Sequence, residues 1–229
     1  MRTWLDAAAD LVLGAQCPGC MSPGLGCCAV CRAEVEGGRL QRWHPRHGAA
    51  EEVVLAAGGY AGATRQVLTA YKERQAWWLA PLLGRRLALA VAAGLRVTGA
   101  RPPVLLVPVP SAPAAVRERG LDTTAELAHR AAAWLRRQGL DVRSARRLRH
   151  RRPVADQVDL SAVERRANLA GAVAARRRGG DPDRWVVVDD VVTTGASLAE
   201  ASRASAGQAD VLFGAVVAAT QARSEVAGQ

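Results

Sequence analysis

The sequence predicts an α/β fold with a mainly parallel sheet, preceded by a small cysteine module. Three observations lead there. From "EEVVLAAGGYAG" onward, short apolar runs alternate with longer helical segments. The runs Val104–Val107, Val186–Val188 and Val211–Val217 lack alternation of polar and apolar residues, as strands buried on both faces do. All five cysteines lie between Cys17 and Cys31.

In order, the pattern gives a strand at Val53–Ala57, a helix at Ala63–Lys72 and another across Trp78–Ala93. A strand in "PVLLVPVP", a proline-bounded loop, and a helix over Thr123–Gln138 follow. After the basic segment "RSARRLRHRRPV" comes a short helix from Ser161, opened by the capping box Ser161–Glu164. Strand "WVVVDD", helix Ser197–Ala206 and strand "DVLFGAVVAAT" close the chain. The last two strands, joined through a helix, predict a right-handed βαβ unit. Two domains result: residues 1–40, an N-terminal helix with the cysteine module, and residues 51–222, the α/β domain.

Of 229 residues, 49% are hydrophobic, enough for a packed core and too many for a disordered chain. The net charge of +10 favours anionic partners: nucleotides, phosphorylated sugars or nucleic acid. Lys72 is the only lysine, the other basic residues being arginine. Asp6 and Asp10 interrupt the apolar N-terminal stretch, against a secretory signal. Trp4, Leu5, Ala8, Leu11 and Val12 instead share one helical face. No run of about 18 apolar residues predicts membrane insertion, and the expected compartment is the cytoplasm. Oligomeric state leaves no mark in the sequence.

Cys17-Pro-Gly-Cys20 and Cys28-Ala-Val-Cys31 are two C-x-x-C pairs, together the four soft ligands of a structural tetrahedral Zn²⁺ site. Cys27 is the spare, and can replace Cys28 at the cost of a C-x-x-x-C spacing. Disulfides fit poorly with an odd cysteine count and a reducing compartment. A redox site would use one pair beside a βαβ unit.

The sharpest motif is "WVVVDDVVTTGAS". A buried strand ends at Asp189-Asp190, and Thr193-Thr194-Gly195 leads to Ser197 at a helix start. The loop has the parts of an anion cradle: a glycine, hydroxyls and free N–H groups at a helix N-terminus. It is not a Walker loop, since the Gly-Lys-Ser/Thr element is missing. Side chains alternate along a strand, so both acids can meet one ligand only if the strand ends around them. A ribose diol with Mg²⁺ nearby would relieve their repulsion. A surface turn with solvated acids is the plainer alternative for any single element.

This stretch resembles the signature of type I phosphoribosyltransferases. The wider arrangement, including the cysteine pairs, "AYKER", "LVPVPSAPAAVRERG" and "DQVDLSAVERRANLAGA", resembles the ComF family across most of the chain. That resemblance implies a type I phosphoribosyltransferase-like core with an N-terminal zinc module, binding phosphoribosyl pyrophosphate or a related phosphosugar or nucleotide with Mg²⁺. Asp189 and Asp190 become the catalytic, ribose-holding pair. Val192, Thr193, Thr194, Gly195, Ala196 and Ser197 surround the 5′-phosphate, and Lys72 or Arg119 grips the pyrophosphate. Gln157, Arg165 and Asn168 match polar positions of the family pattern. The sequence departs from it after Gly120, where Leu121, Asp122 and Thr123 stand, so Asp122 takes no ligand role.

Two functions follow. One is a phosphoribosyltransferase acting on an acceptor that no motif specifies. The other is a non-catalytic phosphosugar- and DNA-binding protein, since ComF proteins are associated with DNA uptake in competent bacteria. The arginine-rich segment Arg143–Arg152 serves either a mobile cover, a nucleic-acid patch or a solvated surface. His44, His47, His129 and His150 share no motif and are taken as structural or solvated.

Overall fold

The computed structural model describes residues 16–44, 53–152 and 168–220. The N-terminal helical face, His47, Gln157, the Ser161–Glu164 box and Arg165 lie outside them.

Eight strands and six α-helices carry the described fold: α1 (Ala29–Glu36), β1 (Gln41–Trp43), β2 (Val54–Ala56), α2 (Gly62–Glu73) and α3 (Ala80–Thr98) come first. Then follow β3 (Val104–Pro108), α4 (Pro113–Arg119), α5 (Thr123–Arg137), β4 (Val142–Ser144), β5 (Leu148–His150) and β6 (Val173–Ala175). The chain continues through β7 (Arg184–Val192), α6 (Ala196–Ser205) and β8 (Asp210–Ala219). Six strands form one sheet in the order β1-β2-β8-β7-β3-β4, parallel except for β1 against β2. β5 and β6 form a separate antiparallel ribbon. The expected class, α/β with a mainly parallel sheet and an N-terminal cysteine module, is the class observed.

The strands show no hydrophobic alternation because both faces of the sheet are covered. Val104, Leu106, Val186 and Val188 pack with α2, α3 and α5 through Leu68, Leu87 and Leu135. Leu105, Val107, Trp185 and Val187 pack on the other side with Leu198 and Ala201 of α6. Each additional buried leucine or valine contributes roughly 1.5–3 kcal/mol. The stretch Trp77–Thr98 has the length and apolarity to cross a membrane, but 67% of an apolar 18-residue window within it is buried inside the fold.

Two segments differ from the sequence reading. The proline-bounded loop contains α4: Pro113 sits in its first turn, where a missing N–H costs nothing, and Gly120 closes it. The basic segment forms β4 and β5, and Arg143, Arg146 and Arg147 have acidic neighbours in Asp141, Asp122 and Asp181. Arg147 is the best anchored, holding both oxygens of Asp181 at 2.6 and 2.7 Å.

Arg86 joins the cysteine module to the sheet. It is buried on α3, and its guanidinium donates to the carbonyls of Glu36, Gly38 and Ala57. Burial lowers its pKa, and the carbonyl oxygens satisfy its donors in place of a carboxylate.

Helix α3 meets β8 at Gly94, where an added Cβ would collide with the ring of buried Phe213. Gly→Ala inside a helix ordinarily stabilises by about 1 kcal/mol. Gly94→Ala is expected to do the reverse, losing about 1–3 kcal/mol to overpacking. Thermal unfolding checks this, and a raised Tm contradicts the packing described.

Candidate functional site

The sheet reverses its winding between β3 and β7: the chain passes from β3 to β4 on one side and later returns to β7 on the other. Ligands of open α/β sheets bind beyond the carboxyl ends of strands at such a point. A cleft of about 840 Å³ opens there, lined by Lys72, Arg119, Asp189, Asp190, Thr193 and Ser197 among others.

β7 does not end at the two acids, contrary to the sequence reading; it runs on to Val192. Both carboxylates reach the cleft because β3 stops first, its last paired residue being Pro108 opposite Val188. Beyond that point the β3-side edge of β7 is open. The carboxylates satisfy neighbouring backbone instead: Asp189 Oδ1 accepts the Asp190 N–H at 2.8 Å, and Asp190 Oδ1 accepts the Val191 N–H at 2.7 Å. Strand alternation assigns Asp190 to the face of Val188, beneath α2, and Asp189 to the face of Val187, beneath α6.

Asp190 is 5% exposed and meets Lys72 Nζ at 2.7 Å, the lysine being 34% exposed. The two groups respond in opposite senses. Asp190's charge raises Lys72 well above the ordinary lysine range. Burial would raise Asp190, but the Lys72 ammonium outweighs it and holds the carboxyl below its ordinary value. Among the described residues no cation is paired directly with Asp189: burial first, then the charge of Asp190, push it well above the ordinary carboxylate range, against the opposing charge of Lys72. Adjacent carboxylates with pKa values driven apart are a mark of functional sites.

The loop after β7 turns at Gly195, which has φ +77° and is the N-cap of α6. A Cβ there would stand 2.8 Å from the ring of Trp43, so β1 packs under the loop and only glycine fits. Ser197 is therefore the second residue of α6 and not its cap. Thr193 and Ser197 line the cleft. Thr194 Oγ1 accepts the Ala196 N–H at 3.4 Å, while Val192 and Ala196 have buried side chains. Arg119 also lines the cleft and donates to Thr123 Oγ1 at 3.3 Å.

Three lining residues were not singled out from the sequence. His150, on β5, has Nε2 3.0 Å from the Pro110 carbonyl and reaches the cleft. Ser111 lies on the loop after β3 and bonds Asp122 Oδ1 at 3.1 Å. Glu200 is buried, held by Arg203 at 2.6 Å, and accepts the Val173 N–H at 3.0 Å. Glu200 stands three residues after Ser197 and so shares its helix face, a spacing visible in the sequence.

In the cysteine module the sulfurs of Cys17, Cys20, Cys28 and Cys31 lie within 4.8 Å of one another. Cys20 and Cys28 Sγ are 3.8 Å apart, close to the edge of a tetrahedron with Zn–S bonds of about 2.3 Å. Backbone N–H groups of Gly19 and Cys28 approach Cys17 Sγ at 3.4 and 3.3 Å. Burial opposes its ionisation, yet these N–H groups bring its thiol down to about 6. Four thiols so arranged fit a structural zinc ion and leave no position for substrate. Cys27 is outside the cluster, and burial with the nearby Cys17 charge pushes it up to about 11.

The two acids are expected to respond oppositely to neutralisation. Asp189→Asn keeps the bond to the Asp190 N–H and removes a penalised charge, so it should raise Tm by about 2–4 °C near pH 7. The sign follows from the raised folded pKa: the penalty grows as pH climbs above the ordinary value of 3.8 and vanishes below it. Asp190→Asn should lower Tm at neutral pH, because Lys72 loses its partner, with the difference fading as pH falls below 3.8. Melting curves of both variants across pH check this; equal shifts of the same sign contradict it.

No family model matches the chain. Competence protein F of Haemophilus influenzae is similar, with 30% identity over 148 residues, which is 64% of this chain and 63% of that protein. The chain thus aligns with somewhat less than two thirds of its relative's length. The chain is similar to competence protein F over that span, in line with the resemblance read from the sequence, and its paired cysteines are gathered as a metal module needs them.

Proposed function

We propose that the cleft binds phosphoribosyl pyrophosphate with Mg²⁺ and that the protein transfers its phosphoribosyl group to a nucleophilic acceptor. The observation carrying this reading is the pair Asp189 and Asp190 at the open end of β7, with Lys72 at 2.7 Å on one side and the Thr193–Ser197 turn on the other. A ribose offers two hydroxyl donors to such carboxylates, and its 5′-phosphate suits hydroxyls and N–H groups at the start of α6. Mg²⁺ would supply charge for the pyrophosphate. The acceptor attacks C1, the bond from C1 to the pyrophosphate oxygen breaks, and pyrophosphate leaves with its electron pair.

The protein's part is positioning and charge. Asp189 is the group with most to gain from a ligand, since a diol or cation relieves a carboxylate that its surroundings penalise. Lys72 balances Asp190 in the free protein and stands at the cleft wall, where its positive charge also faces an incoming phosphate. Arg119 adds a second cation to the lining of the cleft.

A second reading has its own observation. The β5–β6 ribbon bordering the cleft exposes Arg149, Arg151, Arg152, Arg176 and Arg178, and clustered arginines neutralise nucleic-acid phosphates without sequence preference. On that reading the protein is a phosphosugar- and DNA-binding partner in DNA uptake, as the name of its relative suggests.

Calorimetric titration of phosphoribosyl pyrophosphate with Mg²⁺ tests the cleft assignment, which both readings share. Asp189→Asn is the informative variant because its fold is expected to be the more stable. We expect binding to the wild type and at least about tenfold weaker binding to Asp189→Asn, the loss of one charged hydrogen bond. Equal affinities overturn the site assignment. Pyrophosphate release in the presence of an acceptor marks the transferase, whereas salt-dependent binding of single-stranded DNA that survives Asp189→Asn, without such release, marks the second reading.

A further inference from the structure

Helix α2 lacks a cap of its own. Its N-cap residue is Ala61, whose side chain offers no acceptor. The acceptor comes instead from the cysteine module: Glu34 on α1 takes the Ala63 N–H on Oε1 at 2.7 Å. A carboxylate is well suited to this position, since it satisfies a free donor and meets the positive end of the helix. Gly62 makes room for it. That residue has φ +50°, and a Cβ on it would collide with the Glu34 carboxylate.

The metal knuckle packs against the same point. A Cβ on Gly19 would lie 2.6 Å from Cys31 Sγ and 3.5 Å from the Ala63 side chain. Cys31 and Glu34 are three apart on α1, so one face of that short helix carries both a metal ligand and the cap. At its other end α2 carries Lys72, about 15 Å along a rigid helix from Gly62, with its ammonium on Asp190.

We infer that Glu34 is a positioning residue for the cleft: through it the four-cysteine module fixes the start of α2, and thereby where Lys72 stands against Asp190. Only the effect on ligand affinity rests on the phosphosugar reading. The positioning itself does not.

The sole lysine provides the test. Zinc-loaded protein of this sequence labelled with [¹³C]lysine gives one Cε signal, and that signal comes from the cleft. In the wild type it should remain that of a protonated amine at about pH 11, past the ordinary lysine value. Glu34→Ala is expected to shift the signal and bring its titration back toward 10.5. Glu34→Gln, which keeps an oxygen acceptor for the Ala63 N–H, should restore the wild-type signal. Gly62→Ala, which blocks the same contact from the other side, should reproduce Glu34→Ala and serves if that variant does not fold. Removing the metal with a chelator should act in the same direction.

With phosphoribosyl pyrophosphate and Mg²⁺ as probe, Glu34→Ala should lose about fivefold in affinity, the equivalent of one helix cap. A folded Glu34→Ala protein with the wild-type lysine signal and titration overturns the inference, even if its Tm is lower. Wild-type protein that binds no phosphosugar, with the lysine signal responding as expected, removes the phosphosugar reading and upholds the positioning.

Discussion

Two adjacent carboxylates where one edge of a buried strand opens cannot both stay charged without a partner, and among the described residues one ion pair meets them. Lys72 sits at 2.7 Å from Asp190, which stays ionised, while Asp189 is left with its desolvation and its neighbour's charge. The remaining architecture serves this asymmetry. β3 stops at Pro108 so that the edge of β7 is open. Helix α2 ends where its penultimate residue meets Asp190. The turn at Gly195 brings hydroxyls and a helix start to the far side. Burial and the neighbouring charge hold Asp189 toward its protonated form, and an arriving cation would favour its ionisation.

The cysteine module is part of the same construction. A segment this short has too little core to hold itself together, and its four clustered thiols fit a structural metal ion that would take the place of buried side chains. Two polar anchors then tie it to the α/β domain. Glu34 caps α2, and Arg86 donates from α3 to the carbonyls of Glu36, Gly38 and Ala57. Both anchors are directional. They set the orientation of the module against α2 and the β2 end of the sheet, which apolar contact alone would leave free to slide.

Much of this was legible in the sequence where the signal is local. The unbroken valine and leucine runs gave buried parallel strands, and the pattern around Asp189-Asp190 gave the cleft, because strand, turn and helix start are adjacent in the chain. The paired cysteines gave the module for the same reason. What failed were features set by tertiary contact. Whether β7 ended at its acids depended on where β3 stopped, some 80 residues earlier. The arginines of the basic segment are largely exposed, as on a solvated surface, but the partners of Arg146 and Arg147, Asp122 and Asp181, are distant in sequence and left no local mark. Lys72 was noticed as the lone lysine, but its partner is 118 positions away. Nothing local marked His150, whose place depends on the Pro110 carbonyl.

The most direct measurement is a crystal structure of the protein with phosphoribosyl pyrophosphate and Mg²⁺. The account predicts the ribose hydroxyls against Asp189 and Asp190, the 5′-phosphate within the Thr193–Ser197 turn, and the pyrophosphate toward Lys72 and Arg119. A phosphosugar bound elsewhere, or with its ribose turned away from both acids, would contradict it.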